Sequence, residues 1–314
     1  MSIKRLLQKQ LFRAVSLYDV SSKSTNLASK QQFRPENIPL HRLQNETLLI
    51  YRSPIALQQE AQRQLKAIDL ANKLIGYFPT INKTNATNNY LELSIEVIAP
   101  GWINFRFPEQ SVGTWLQDST QIFSSPEEER ELGIRGAARG ESGIHAPNLT
   151  ESTNTSSTSK SLPLFRLQYI HARCCSLLRL ADKQALIKLK QPESKNLCLQ
   201  IVEPNPIPWL INYQGVEVEP IGLRLKHPAE LGLISKIIDV QDAVNDQSQN
   251  SLLKLATILC SSFDNFYSNC RIWGEVKAKN PQLSQARLGL VTITQVLLFF
   301  ILRERLGVSA PLEL

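Results

Sequence analysis

The sequence lacks the glycine patterns on which many nucleotide-dependent enzymes rely. None of its 13 glycines is separated from another by a single residue, and none is followed by lysine. These absences exclude a dinucleotide-binding fingerprint and a phosphate-binding P-loop. Histidine is equally sparse, because the four, at positions 41, 145, 171 and 227, lie far apart and form no ligand pair. The sequence therefore predicts no enzymatic activity of these kinds and no cofactor.

Cysteine is too scarce and too irregularly spaced for a disulfide framework or a metal centre. The five cysteines, at positions 174, 175, 198, 260 and 270, are an odd number and include no Cys-x-x-Cys pair. Disulfide-rich domains and zinc sites both depend on such regular spacing. We expect reduced, mostly buried thiols and no metal site.

Long hydrophobic runs are missing as well. The most apolar stretch runs from Leu288 to Leu302 without a charge, which is shorter than the roughly 18–20 residues that span a bilayer. It is expected to be a buried helix. The N-terminus has no apolar segment typical of a secretory leader, so we expect a cytoplasmic protein without a membrane partner.

Positive charge is concentrated in the first third of the chain. The formal net charge is +7, and residues 1–108 hold 14 basic and 7 acidic residues, so that the remaining residues sum to zero. An uneven basic balance is typical of proteins with a polyanionic partner such as nucleic acid. A solvated basic surface explains the same numbers equally well.

Residues 1–108 predict an α/β domain. An apolar stripe near the N-terminus predicts an amphipathic helix, and a second helix is expected from Ser53 to just before Pro79. Apolar and polar residues then alternate over 91–97 and 102–107, on either side of an Ala-Pro-Gly turn. Alternation of this kind predicts two half-buried antiparallel strands.

The rest of the chain changes character twice. Residues 109–163, with acidic residues at 127–131 and a Ser/Thr-rich stretch at 150–161, predict a flexible linker. Residues 164–314 recover helical periodicity, apart from an irregular insertion or hairpin at 196–223. The expected fold is thus an α+β N-terminal domain joined by a linker to an all-α helical bundle.

Two regions resemble parts of class I arginyl-tRNA synthetases, in that family's order. The first runs from Ile95 to Phe105 and reads Ile-Glu-Val-Ile-Ala-Pro-Gly-Trp-Ile-Asn-Phe. It is similar to the end of the family's additional N-terminal domain, where a strand runs into Gly-Pro-Gly-aromatic-aliphatic-Asn, although Ala99 replaces the first glycine. The resemblance implies that Trp102 and Asn104 contact a base of the tRNA D-loop.

The second region is similar to the family's C-terminal anticodon-binding domain of the DALR type. It consists of five spaced pieces: Leu167 to Ser176, His227 to Glu230, Phe263 to Tyr267, Ala286 to Leu288 and Leu306 to Pro311. The Asp-Ala-Leu-Arg stretch itself would fall near Thr292 to Gln295 and is not kept.

The catalytic domain that separates these regions in the family has no counterpart. Residues 109–163 occupy its position, and Met1 is the only methionine, so a Lys-Met-Ser-Lys-like signature cannot occur in its usual form. No two histidines have the spacing of a His-Ile-Gly-His-like signature. Because no mononucleotide fold remains to hold ATP, the resemblance implies a non-catalytic relative.

Alternation along the strand 102–107 also points to RNA. If Ile103, Phe105 and Phe107 form the core, then Trp102, Asn104 and Arg106 lie on the exposed face. An aromatic ring, an amide and a guanidinium can stack a base, read its edge and meet a phosphate. Alternatively, Trp102 covers an apolar flank and Arg106 is merely solvated.

In the second domain the RNA-binding candidates are Asn265, Tyr267 and Arg287. Tyr267 is interpreted as a packing tyrosine with its hydroxyl at the rim or, as the resemblance implies, as an anticodon-loop contact. His171 and Arg173 are interpreted first as helix packing and surface charge, and second as a former interface with the missing domain.

The function that these features favour is a non-catalytic RNA-binding protein, with tRNA or another structured RNA as its partner. The alternative is a protein-interaction or scaffold subunit, part of a protein complex, that keeps the helical fold and has lost RNA binding. The zero net charge of residues 109–314 favours that alternative.

Overall fold

The computed structural model describes residues 2–21, 34–44, 49–79, 92–120, 158–190, 198–212, 221–244 and 249–314. The chain divides into two compact units, one formed by Met1–Trp115 with Leu210–Leu223 and the other by Leu116–Trp209 with Arg224–Leu314. The acidic residues at 127–131 and most of the Ser/Thr-rich stretch lie outside the described residues.

The first unit is built on a four-stranded antiparallel sheet with three helices. Its strands are β1 (His41–Leu43), β2 (Leu49–Ser53), β3 (Ser94–Ile98) and β4 (Trp102–Phe107), in the order β1-β2-β4-β3. Its helices are α1 (Ile3–Ser21), α2 (Ile55–Arg63) and α3 (Ala67–Ile75), and a 3₁₀ turn spans Pro35–Asn37.

The apolar stripes predicted from the sequence form the core of this unit. The buried residues of α1 are spaced as an amphipathic helix requires, which confirms that prediction. On β4, Ile103, Phe105 and Phe107 are fully buried, as the alternation predicts, and Phe105 packs against Phe78 with ring centroids 5.6 Å apart.

The single helix expected from Ser53 to Pro79 is wrong, because the structure has two helices there. The chain turns at Gln64, whose φ of 51° is left-handed and ends α2. Glu60 Oε1 then accepts a hydrogen bond from the Ala67 backbone N–H at 3.1 Å, which satisfies a free donor of the first turn of α3. The spacing of apolar residues alone does not show where a helix is interrupted by such a short turn.

The turn between β3 and β4 explains why glycine stands at position 101. A Cβ placed on Gly101 would lie 2.6 Å from the Ala67 Cβ. No side chain fits in that space, so glycine allows the turn to pack directly against the start of α3.

The first part of the predicted linker is a helix, α4 (Glu109–Ser119). Trp115 and Leu116 on this helix are buried. Glu109 Oε2 also accepts from the Leu223 backbone N–H at 2.7 Å. The sequence pattern obscures α4 because few apolar residues are interspersed among Gln, Ser and Thr. The hydrogen-bond partner of Glu109 also lies 114 residues further along the chain.

The second unit is a helical bundle, as predicted. Its helices are α5 (Thr158–Lys183), α6 (Pro228–Ala243), α7 (Gln249–Asn269), the short α8 (Glu275–Lys279) and α9 (Pro281–Phe300), followed by a π-helical turn at Ile301–Arg305. This unit also contains a short antiparallel pair, β5 (Lys188–Leu189) with β6 (Ile201–Glu203). A second pair, β7 (Leu210–Asn212) with β8 (Ile221–Leu223), belongs to the first unit.

The uncharged run identified in the sequence is the central helix of the bundle. Among the described residues, one helix, Pro281–Arg305, is long and apolar enough to cross a membrane, and 89% of its most apolar window is buried inside the protein. The prediction of a buried helix is therefore confirmed. All five cysteines are buried and none forms a disulfide, as predicted. Burial raises the pKa of Cys175, Cys198 and Cys260 to about 12.

Candidate nucleic-acid interface

The sheet of the first unit presents one face on which polar and aromatic residues of three strands meet. Strand pairing places Arg52 of β2 and Glu96 of β3 on either side of Asn104 of β4. Trp102 and Arg106 flank Asn104 along β4. We call these five residues the sheet-face cluster.

Asn104 is not exposed, contrary to the sequence prediction. It is only 1% accessible, and its Oδ1 accepts a hydrogen bond from Arg52 Nε at 2.8 Å. The long Arg52 side chain continues past Asn104, and its Cζ lies 5.6 Å from the centroid of the Trp102 ring. Arg52 thus covers the amide that the sequence assigned to base recognition.

The groups of this face that remain available are therefore cationic and aromatic. Trp102 is half-buried and keeps a guanidinium beside its ring, a favourable cation–π arrangement. Arg106 Nε donates to Glu96 Oε2 at 3.2 Å, with both side chains well exposed. Ion pairs at the surface are weak, so this pairing leaves Arg106 able to exchange to a phosphate.

Arg52 is a residue that sequence reasoning missed. It lies 52 positions before Asn104, and no local motif marks it. Only the β2–β4 register brings the two side chains together. The only sequence feature that indicated a role for Arg52 was the excess of basic residues over positions 1–108.

The second unit has a cation–aromatic cluster on the surface between α5 and α7. Arg173 of α5 donates to the Tyr169 hydroxyl at 3.2 Å, and its Cζ lies 4.5 Å from the centroid of the Tyr267 ring on α7. The Tyr267 ring is nearly parallel to that of buried Phe263, at an interplanar angle of 11°. Tyr169 is 43% exposed, so we call Tyr169, Arg173 and Tyr267 the tyrosine–arginine cluster.

This arrangement separates the two candidates that the sequence placed on α7. Asn265 is exposed and accepts from Asn269 Nδ2 through its Oδ1 at 3.0 Å. Two positions along a helix correspond to about 200° of rotation, so Asn265 and Tyr267 lie on opposite sides of α7. The residues that accompany Tyr267 are Arg173, which the sequence assigned first to packing and surface charge, and Tyr169, which was not among the sequence candidates.

Arg287 is a structural residue, which corrects its assignment to RNA binding. Its side chain is 10% exposed, and its Nε donates to Glu230 Oε1 at 2.7 Å. Its Nη1 donates to the Arg271 backbone carbonyl. A guanidinium satisfied in this way inside the protein is not available to a phosphate.

His171 belongs to the core, as its first interpretation states. Its Nδ1 donates to the Pro311 carbonyl at 2.8 Å, and its Nε2 accepts from Gln295 Nε2 at 3.0 Å. Burial lowers the pKa of His171 below its usual value of 6.5, which favours the neutral ring that this bonding requires. The four residues at the family's Asp-Ala-Leu-Arg position, Thr292–Gln295, are likewise fully buried.

Among the described residues, no group of three or more His, Cys, Asp or Glu side chains could hold a metal ion. The side chains of both clusters offer stacking, hydrogen bonding and positive charge.

Comparison with known proteins finds relatives of the C-terminal half of the chain. A family described as the DALR anticodon binding domain matches residues 167–314. The arginine-tRNA ligase of Synechococcus sp. (strain JA-3-3Ab) is 32% identical over 48% of this chain and 22% of its own length. Those of Moorella thermoacetica and Heliobacterium modesticaldum are 33% and 32% identical, each over 49% of this chain and 23% of their own length.

The matched region thus spans less than a quarter of these relatives. No solved structure matches the chain. Residues 167–314 thus match the DALR anticodon binding domain family, and about half of the chain is similar to a part of arginine-tRNA ligases.

Proposed function

We propose that this protein is a non-catalytic, cytoplasmic RNA-binding protein whose ligand is tRNA. The observation that carries the proposal is the tyrosine–arginine cluster, an exposed cation–aromatic surface on a domain of the anticodon-binding type. Sequence-specific RNA recognition uses unpaired loop bases that stack on aromatic rings and guanidinium planes. An anticodon loop offers such bases together with closely spaced phosphates.

The cluster is preorganised for this task. Arg173 is held between the Tyr169 hydroxyl and the Tyr267 ring, and Tyr267 is in turn supported by buried Phe263. A base that stacks on Tyr169 would therefore meet side chains whose positions are already determined, which reduces the entropy lost on binding. Arg173 would supply the positive charge for the neighbouring phosphate.

The sheet-face cluster would provide a second, independent contact. Trp102 offers an aromatic surface, and Arg52 and Arg106 offer positive charge, so this face suits a splayed loop base and its phosphate, such as those of the D-loop. Two modest surfaces on one chain raise the apparent affinity when both engage a single RNA molecule. We infer a bivalent mode of binding on this basis.

The absence of catalysis is part of the proposal. The family match covers the anticodon-binding domain, and residues 109–163, at the catalytic domain's position, carry neither of its signatures. A chain with these features would retain recognition of tRNA and have no site for formation of an aminoacyl-adenylate.

One observation favours the alternative of a protein-interaction subunit. Leu162 and Phe165, in the first turns of α5, are 75% and 58% exposed. Apolar side chains exposed on one helix face are typical of protein interfaces. This surface adjoins Tyr169 on the same helix, so a protein partner and an RNA would compete for neighbouring positions.

Titration of the purified chain with its own cellular tRNA, and with isolated anticodon stem-loops, tests the proposal. Tyr169→Ala should weaken tRNA binding about fivefold to a hundredfold, the cost of losing one stacked base. Leu180→Ala is the matched control, because Leu180 is 41% exposed on the same helix and lies outside the cluster. Wild-type protein without affinity for tRNA at low salt would overturn the proposal in favour of the interaction subunit.

A further inference from the structure

The first unit carries an open groove at the C-terminal ends of α1 and α3. Its volume is about 510 Å³, and it is lined by Tyr18, Ser21, Lys73, Gly76 and Tyr77. Sites for small ligands typically measure about 300–1,000 Å³, so the groove is large enough for one nucleotide. None of its lining residues belongs to the sheet-face cluster.

Positive charge in this groove is only partly compensated. The Tyr18 ring lies beneath two cations, with Arg63 Cζ 5.0 Å and Lys73 Nζ 6.0 Å from its centroid. Arg63 forms an ion pair with Asp19. Lys73 is exposed and has no carboxylate partner among the described residues. The groove is therefore complementary to one additional anion.

The hydroxyl groups of the groove are oriented by their hydrogen bonds. Ser21 Oγ lies 2.8 Å from the Tyr18 carbonyl oxygen, which can only accept, so Ser21 is the donor. A serine hydroxyl has a single proton. The Tyr77 hydroxyl, 2.7 Å from Ser21 Oγ, must therefore donate its own proton to Ser21. The Tyr77 oxygen keeps its lone pairs free to accept a hydrogen bond from a ligand.

An anion next to a hydroxyl donor describes a ribonucleotide. The phosphate would be the negatively charged partner that Lys73 lacks among the described residues. The ribose 2′-hydroxyl is a hydrogen-bond donor that deoxyribose does not have. We propose that this groove binds one ribonucleotide of an RNA strand, with its phosphate at Lys73 and its 2′-hydroxyl donating to the Tyr77 oxygen. The inference rests on the proposed RNA binding and adds a site that distinguishes RNA from DNA.

Paired single strands test the groove directly. The full chain is titrated with a labelled oligouridylate of about ten nucleotides, a length within the usual range of single-strand sites, and with the deoxyuridine strand of equal length. Lys73→Gln should weaken binding of both strands and reduce the slope of log K against log salt by about 0.7, the loss of one single-strand phosphate contact. Lys66→Gln is the matched control, since Lys66 is exposed at the other end of α3.

Tyr77→Phe isolates the contact to the sugar. It should weaken RNA binding about fivefold, the value of one net hydrogen bond, and leave DNA binding and the salt slope unchanged. The expected result is thus a lower ratio of RNA to DNA affinity in Tyr77→Phe alone. If Tyr77→Phe reduces stability, Lys73→Gln still tests the groove. Lys73 is exposed, so we expect its substitution to leave the fold intact.

Two outcomes would overturn the inference: an unchanged RNA-to-DNA ratio in folded Tyr77→Phe, or equal affinities of Lys73→Gln and Lys66→Gln. Binding of tRNA by wild-type protein that is sensitive to Tyr169→Ala but not to Lys73→Gln would reject the groove and support the proposed function. Absence of tRNA binding by wild type would reject the proposed function itself.

Discussion

A single carboxylate, that of Glu230, joins two helices of the DALR domain. Its Oε1 accepts from Arg287 Nε of α9 at 2.7 Å, and its Oε2 accepts from the His227 backbone N–H at 2.9 Å. In addition, the Ala229 backbone N–H donates to His227 Nδ1. This bond and the bond from the His227 N–H to Glu230 together form a capping box at the start of α6. Two of the sequence pieces that carry the family resemblance are thus joined by hydrogen bonds inside the bundle.

Removal of Arg287 should therefore destabilise the protein. Arg287→Met leaves the Glu230 carboxylate buried without its charge partner, and breaking a buried ion pair in this way costs about 3–5 kcal/mol. Urea unfolding measures the loss. Lys279→Met is the control, since its ion pair with Glu275 is well exposed and its loss should leave the free energy of unfolding nearly unchanged.

The same variant also separates a structural role from RNA binding. We expect folded Arg287→Met protein to bind tRNA with wild-type affinity, because the guanidinium is buried. Unchanged stability together with lower tRNA affinity would restore Arg287 to the RNA-binding surface.

The stability of the protein should fall as the pH drops below about 6.5. Burial lowers the pKa of His171 in the folded chain, so the unfolded chain takes up a proton near pH 6.5 that the folded chain does not. The stabilisation is complete above that pH and is lost progressively down to the folded pKa. Urea unfolding between pH 5 and 8 should show this slope, and His171→Gln should flatten it; an identical slope in both proteins would contradict the assignment.

Gly289 should not tolerate alanine, although alanine normally favours a helix. A Cβ at Gly289 would lie 2.3 Å from the Cη2 atom of Trp209. The indole cannot move away easily, because it is buried and its Nε1 donates to Gln117 Oε1 at 3.0 Å. Overpacking of this kind costs about 1–3 kcal/mol, measurable as a lower free energy of unfolding. Gly232→Ala, where a Cβ meets no atom within 4 Å, should be neutral or stabilising.

Aminoacylation activity should be absent. We expect exchange of pyrophosphate into ATP, with arginine and tRNA present, to remain at background, because residues 109–163 at the catalytic domain's position carry no ATP-binding signature. Turnover that persists through purification and disappears on mutation of this chain would refute the prediction. Tyr169→Ala is a suitable variant for that control, since it should weaken tRNA binding specifically.

The sequence by itself determined the fold class, with an α+β first part and a helical second part, and the buried faces of particular elements. An uncharged apolar run identified the central helix of the bundle, and alternation identified the buried face of β4, with Ile103, Phe105 and Phe107 in the core. These patterns are readable because burial of apolar side chains is repeated at fixed local spacing. The spaced pieces that resemble the DALR domain could be recognised in the sequence for a related reason. They lie on several helices of the bundle that pack against one another.

Only the tertiary structure decided which polar residues are available to a ligand. Asn104 and Arg287 had the right chemistry, but Arg52 covers the first and Glu230 neutralises the second, through partners 52 and 57 positions away. Tyr169 and Arg173 form one cluster with Tyr267 only because α5 packs beside α7. Exposure and pairing of a polar side chain depend on contacts between distant segments, and no local periodicity in the sequence encodes which segments those are.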